Sequence, residues 1–252
     1  RVTALPADIL TEFAGGTYLT RVGQAPNLFY GHVTEGVFSS NAQASSAGLS
    51  SLNAQGALVP FQGGDIRFKN INASDAVIDD NDRTVIGDPN PDFYGAINSN
   101  LTWKNWSVEA LVTFVQGNDV YNYTRRQLES MSGYENQTEA AMNRWKNDGQ
   151  NASMPRAVWG DPAGNSRFSD RWIEDGSYMR LRSVSVSYDF NIKPRLVKYA
   201  VVYLTGNNLV TLTKYKGYDP EFNVSSSVFG QGVDAMMEPL HKSVQVGIKL
   251  GL

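Results

Sequence analysis

The chain has 252 residues, 41% hydrophobic and 19% charged, which suits one large folded domain or two small ones and excludes a mostly disordered chain. Its 22 Lys plus Arg against 25 Asp plus Glu give a net charge of -3, leaving no electrostatic footprint for nucleic acid or an anionic membrane surface. Cysteine is absent, which rules out disulfides and thiolate metal sites, and no apolar run of about 18 residues is present to form a transmembrane helix. The first residues lack the charged and apolar regions of a signal peptide, so for an exported protein Arg1 is not the original start and the chain is expected to be part of a longer one.

Residues 41–60, NAQASSAGLSSLNAQGALVP, are mostly small and polar and read as an exposed loop. In NINASDAVIDDND (70–82), counting from Ile71 puts Asp75, Ile78 and Asp82 at the fifth, eighth and twelfth places of a calcium loop. Ile71 and Ala73 then fall where oxygen ligands are needed, so a polar turn is the default reading. A hairpin follows. Phe93, Ile97, Leu101 and Trp103 share one phase before Lys104-Asn105, and Trp106, Val108, Ala110, Val112 and Phe114 share one after it.

Further on, Asn136 and Glu139 make a capping-box-like start, Ala140, Ala141, Met142 and Trp145 follow, and Gly149 can close the predicted helix. Val184, Val186, Tyr188, Phe190 and Ile192 alternate with Ser183, Ser185, Ser187, Asp189 and Asn191. In the strand predicted over 198–209, Tyr199, Val201 and Tyr203 compete with Ala200, Val202 and Leu204, and its facing stays open. The last residues place Val244, Val246, Ile248, Leu250 and Leu252 opposite Ser243, Gln245, Gly247, Lys249 and Gly251.

Strands of about ten residues with one apolar face fit a membrane crossing, although a soluble sandwich shows the same alternation. The connections separate the two. Lys104-Asn105 and the NIKPR segment near Pro194 are short, whereas 117–176 and 211–240 are very long. Barrels in outer membranes have this asymmetry, and compact soluble domains rarely do. Trp103, Trp106, Tyr188 and Phe190 cluster near the short turns, where an aromatic girdle would sit. The expected fold is all-β, a transmembrane antiparallel β-barrel with long extracellular loops; the alternative is a secreted or surface β-sandwich binding module or adhesin.

Five segments in order carry a family resemblance: RVGQAPNLFYGHVTEGVF (21–38), GGDIRFKN through DRTVIGDPNPDFYG (63–95), SDRWIEDGSYMRLRSVSVSYDF (169–190), GNNLVTLTKYKGYDPE (206–221) and the final strand. Together they resemble the C-terminal barrel region of SusC/RagA-family TonB-dependent outer-membrane transporters. Gln245, Gly247, Leu250 and Leu252 also resemble the C-terminal signal for barrel insertion, with Leu252 in place of the usual aromatic residue.

The resemblance implies that residues 1–252 are the C-terminal portion of a 22-stranded barrel in the outer membrane of a Gram-negative bacterium, with the plug and N-terminal domains outside this chain. About eight strands fit here, so the remaining barrel segment must come from the same or another chain. It further implies a SusD-like surface lipoprotein as lid, TonB acting through the plug, an oligosaccharide or peptide ligand, and contact with outer-membrane lipid. In that setting Val108, Ala110 and Val112 face lipid, while Ser107, Glu109, Leu111 and Thr113 face the lumen.

Tyr134, Trp145, Trp159 and Trp172 are candidates for ligand or lid contact through stacking, unless they fold the loop on itself. Tyr215 and Tyr218 are candidates for the lid surface, and Arg180 and Arg182 for contact with lid, ligand or neighbouring strands. No GxSxG, HExxH or P-loop pattern occurs, and His32 and His241 are the only histidines. Neither an enzyme nor a metal or cofactor is expected.

Overall fold

The computed structural model describes residues 5, 7–53, 55–190, 197–223 and 230–251. In chain order its elements begin with β1 (Ile9–Phe13), β2 (Gly16–Thr20), β3 (Leu28–Gly31), β4 (Thr34–Val37), α1 (Asn41–Ala47), β5 (Ser50–Leu52) and β6 (Leu58–Pro60). They continue with β7 (Ile66–Phe68), β8 (Val77–Ile78), β9 (Thr84–Gly87), β10 (Phe93–Trp103), β11 (Trp106–Gln116), β12 (Asp119–Asn122) and α2 (Tyr123–Glu129). Last come β13 (Ile173–Asp175), β14 (Tyr178–Phe190), β15 (Tyr199–Thr213), β16 (Val233–Asp234) and β17 (Ser243–Gly251). Two compact units result: a loop unit of Arg1–Asn90, Asp119–Glu174 and Phe222–Met237, and a sheet unit of Pro91–Asn118, Asp175–Glu221 and Glu238–Leu252.

The sheet unit is an antiparallel sheet in the order β10-β11-β14-β15-β17. Its register explains the sequence alternation. Leu101 pairs with Val108 and Ile97 with Val112, and Val108 and Ala110 pair onward with Val186 and Val184. These side chains share a face, and that face is uncovered: Leu101, Val246 and Ile248 remain 67%, 74% and 66% exposed. Glu109, Leu111 and Thr113 lie on the opposite face with Asn100, Ser183, Ser185 and Arg180. An apolar face this extended is not left to water.

β14 crosses between these faces without breaking them. Its pairings with both β11 and β15 pass over Arg182, so Leu181 meets Val112 while Ser183 meets Leu111. The bulge lets Met179 and Leu181 join the apolar face while Arg180 joins the polar one. Without that extra residue the strand's odd and even positions would keep one phase throughout, and Arg180 would share the face of Val184 and Val186.

The facing left open for β15 is decided by its partners. Val202 and Leu204 pair with Tyr188 and Val186 on one side and with Ile248 and Val246 on the other, so they belong to the apolar face. Tyr203 and Tyr199 lie opposite, paired with Gly247 and Gly251, where an added Cβ would come within 2.3 and 2.2 Å of their rings. At the tight turn, Lys104 takes φ 54°, and Asn105 is tied to Asp189 by two hydrogen bonds of 2.6 and 2.8 Å.

Several expectations need correction. Five strands run 9–15 residues, and the other strands in the described residues are 2–5 residues long, too short to cross a bilayer, so the count of about eight is replaced by five. Residues 139–143 form only a short 3-10 turn with no side-chain cap, because the chain turns away at Arg144 to bridge Met154. Residues 41–60 are mostly exposed, as expected, but carry regular structure rather than a plain loop: Ser40 caps α1 through Gln43, β5 pairs with β6, and Ala44 and Ser51 are buried. The NIKPR connection, Ile192 and Leu252 lie outside the described residues.

The loop unit has two aromatic cores. One gathers Phe38, Phe61, Ile66, Phe68 and Ile78; the other gathers Tyr18, Phe29, Tyr121, Phe168, Trp172 and Val233. Buried carboxylates organise the turns around them. Asp82 accepts the amide N–H groups of Ile71, Asn72 and Asp79 at 2.7–2.9 Å, which is the polar-turn reading of 70–82 in atomic form. Asp65 binds the Arg156 guanidinium at 2.8 and 3.1 Å and also accepts from Gln62 and Asn165. Four donors offset the cost of burying it.

Beside Asp65, Gly64 takes φ +86° directly under the Trp145 indole, where a Cβ would lie 2.5 Å from the ring. Trp145 is pinned there by its N–H donating to Ser39 O at 2.9 Å. Gly64→Ala combines a left-handed backbone with a ring clash and should destabilise the loop unit by about 1–3 kcal/mol. Chemical denaturation of the protein carrying this chain, read by tryptophan fluorescence, measures it; an unchanged midpoint would show that Trp145 is not held by this turn.

Candidate ligand cavity

A cavity of about 660 Å³ opens in the loop unit, within the size range of small-molecule sites. The β5–β6 hairpin brings Asn53 and Gln55, the end of β8 brings Ile78 with Asp79 and Asp80, and the turn over 159–164 brings Trp159 and Asp161. His32 and Arg167 form its inner wall. Trp159 is 62% exposed and stands edge-on to Tyr134, ring centroids 4.4 Å apart.

The charges in this lining are held by the protein itself. Asp161 accepts from the Asn165 and Ser166 amides at 2.7 Å each and from the Ser166 hydroxyl at 2.6 Å. Asp80 is paired with Arg83 at 2.7 Å, and Asp79 caps the following turn through Asn81 N at 2.8 Å. Arg167 donates to the carbonyls of Gly164, Ile78 and Ala163 at 3.0–3.2 Å and to the Ser51 hydroxyl, with its guanidinium 4.8 Å from the Phe68 ring centroid. Burial pushes its pKa down against the pull of Asp161, Asp80 and Asp82.

His32 is buried with both ring nitrogens facing carbonyl oxygens, Asp79 O at 3.0 Å and Phe168 O at 3.3 Å. Burial and the Arg167 charge hold its pKa below the ordinary 6.5, although the two carbonyls pull the other way. The imidazole is therefore neutral at neutral pH and donates one proton.

The sequence candidates divide sharply. Trp159, Tyr134 and Tyr218 are exposed, Tyr134 and Tyr218 almost fully. Trp172 is wholly buried, with its N–H on Arg167 O at 3.0 Å, and Tyr215 is buried with its ring over Gly217; both are corrected from contact residues to core residues. Trp145 serves the Gly64 turn. Arg180, 2% exposed, binds Asp219 at 2.6 Å, Glu221 at 2.5 Å and Thr211 at 3.0 Å. Arg182 and Tyr178 reach the same Glu221 at 2.5 and 2.7 Å.

These arginines therefore clamp the segment after β15 onto β14, and of the contacts open to Arg180 in the sequence, lid, ligand or neighbouring strands, the one made here is with a neighbouring strand, through Thr211 of β15. Of the C-terminal signal, Gln245 and Gly247 lie on the polar face and Leu250 on the apolar face; Leu252 lies outside the described residues. Sequence reasoning missed Asn53, Gln55 and Arg167. The first two sit in the segment read as an exposed loop, and the long-range part of Arg167's setting comes from Ile78 and Ser51, 89 and 116 positions away.

The His32 pKa has a consequence for stability. A depressed folded-state pKa contributes stability that is present above pH about 6.5 and lost as pH falls through the folded value. Thermal unfolding of the loop unit, followed by tryptophan fluorescence, should thus shift to lower temperature on acidification through this window, and His32→Gln should flatten the shift. An equal acid response in both proteins would assign it elsewhere.

No protein-family model matches the chain. The chain is 33% identical over 211 residues to TonB-dependent receptor P3 of Formosa agariphila, covering 82% of this chain and 20% of the relative. It is 29% identical over 219 residues to TonB-dependent receptor P26 of the same organism, covering 85% and 21%. The chain thus spans about a fifth of the length of these curated relatives. In fold it is similar to a chain of the RagAB peptide importer in its open-open state, with TM-score 0.73, 21% identity, and 99% of this chain against 25% of that one. The closed-closed state gives TM-score 0.67 at 21% identity, covering 96% and 24%. The relative at 33% identity over 82% of the chain establishes, with the two-faced antiparallel sheet, that the chain belongs to the TonB-dependent receptors, and in fold it matches part of a RagAB importer chain.

Proposed function

We propose that the chain forms the C-terminal portion of a 22-stranded outer-membrane barrel that imports oligosaccharides or peptides in a Gram-negative bacterium. The observation that carries this is the sheet itself. Its five consecutive strands hold one apolar face open and one polar face opposite, and its long connections both leave from one end. A β-sandwich would cover such a face with a second sheet about 10 Å away. Lipid is the solvent that suits it, with Glu109 and Arg180 on the lumen side.

The edges of β10 and β17 each pair on one side only among the described residues. In hydrocarbon those backbone groups need partners, which the remaining barrel segment of the same or another chain supplies. The plug, and TonB acting on it, belong to the rest of the receptor. The likeness in fold to the RagAB peptide importer supports a peptide as one cargo class, and the sequence resemblance adds a SusD-like lipoprotein as the lid over the loops. The barrel wall performs no covalent chemistry in this reading.

The reading is tested by uptake in the native host. Fluorescent oligosaccharides and peptides should accumulate in the periplasm only with the receptor present and TonB active, and uptake that persists without TonB would overturn it. Topology gives a second expectation. Cysteines at Asn136 and Lys216 in this cysteine-free chain should react with an impermeant thiol reagent on intact cells, and one at Asn105 should not. Labelling at Asn105 with protection of the other two would invert the barrel.

A further inference from the structure

Building on the import reading, we propose that the loop-unit cavity is a subsite for an uncharged, hydroxyl-rich ring, a neutral sugar unit of a glycan, seated against Trp159. The indole is the first element of the argument. It is largely exposed at the cavity and braced by Tyr134, so it is presented as a ready-made apolar platform for the C–H face of a sugar ring. An exposed indole costs little further desolvation when such a ring covers it.

The second element is what remains free to bond. The Asn53 side-chain oxygen is already engaged by the amides of Gln55 and Ala57 at 3.0 and 2.8 Å, which leaves its NH₂ as a donor. Gln55 offers an exposed amide, and the exposed Asp80 carboxylate has acceptor positions beyond its Arg83 pair. Amide donors and carboxylate acceptors around an aromatic face match hydroxyl groups, which both donate and accept. Arg167 spreads over carbonyls and a hydroxyl and Arg83 is paired, while Asp79, Asp80 and Asp161 line the same space. A sulfated or uronate-rich chain would meet net negative charge there.

The third element disfavours a peptide. An extended peptide is gripped by adding its backbone to a free strand edge. β8 is the outer strand of its sheet and reaches the cavity, but its Ile78 carbonyl is bonded by Arg167 at 3.2 Å and the His32 ring stands against the adjoining Asp79 carbonyl at 3.0 Å. The backbone a peptide would use is already occupied.

The test uses the intact receptor in detergent, presented to a printed array of neutral, uronate-containing and sulfated oligosaccharides and to an array of peptides. Binding to a neutral glycan is expected, weakened about tenfold by Trp159→Ala and less by Trp159→Phe, with unchanged thermal unfolding. Asn53→Ala should weaken the same glycan. Binding confined to peptides or polyanionic glycans, binding to no neutral glycan, or neutral-glycan binding indifferent to Trp159→Ala would each overturn the subsite. A neutral glycan bound through Trp159 with no TonB-dependent uptake of any glycan or peptide would instead sink the import reading and leave the subsite standing; TonB-dependent uptake of peptides alone would do the reverse.

Discussion

In hydrocarbon, a strand must satisfy every backbone N–H and C=O through its neighbours while presenting only apolar side chains outward. The sheet unit is organised by that constraint. It fixes the phase of five strands at once, because a slip of one residue in any of them would turn its whole apolar set inward. The bulge at Arg182 shows how the constraint is met where the sequence changes phase. Two polar residues in a row, Arg182 and Ser183, are absorbed by one unpaired position, and Met179 and Leu181 stay with Val112 and Phe114.

The same bulge places Arg180 on the polar face, where Asp219 and Glu221 meet it. A buried arginine with two carboxylates and a threonine hydroxyl is costly to break, since removing one partner leaves charge without water. The segment after β15 is thereby tethered to the strand it must leave. Tyr215 then buries its ring and Tyr218 is left outside.

The loop unit follows a different physical logic. Its strands are short, so it relies on aromatic clusters and on buried carboxylates that gather backbone amides, as Asp82 and Asp65 do. These clamps fix irregular backbone by hydrogen bonding rather than by sheet pairing. The cavity is a product of that construction. In its polar wall His32, Asp161 and Arg167 are each bonded to backbone, leaving Trp159, Asn53 and Gln55 to meet a ligand.

Much of the barrel wall was legible in the sequence, because a period of two is a local property: Val244 through Leu250 and Trp106 through Phe114 declare their face without reference to anything distant. The two-residue turn and the long connections were legible for the same reason. Where both phases of a strand are apolar, as at Tyr199–Leu204, only the partners decide, and the pairing with Val186 and Val246 did so. The site was less legible still. An exposed tryptophan and a buried one look alike in sequence, and Trp159 and Trp172 were parted by whether Tyr18, Phe29 and Tyr121 gather into a core with them. Local alternation by itself determined which strands have an apolar face; long-range contacts between residues far apart in the chain decided which side chains are free to bind.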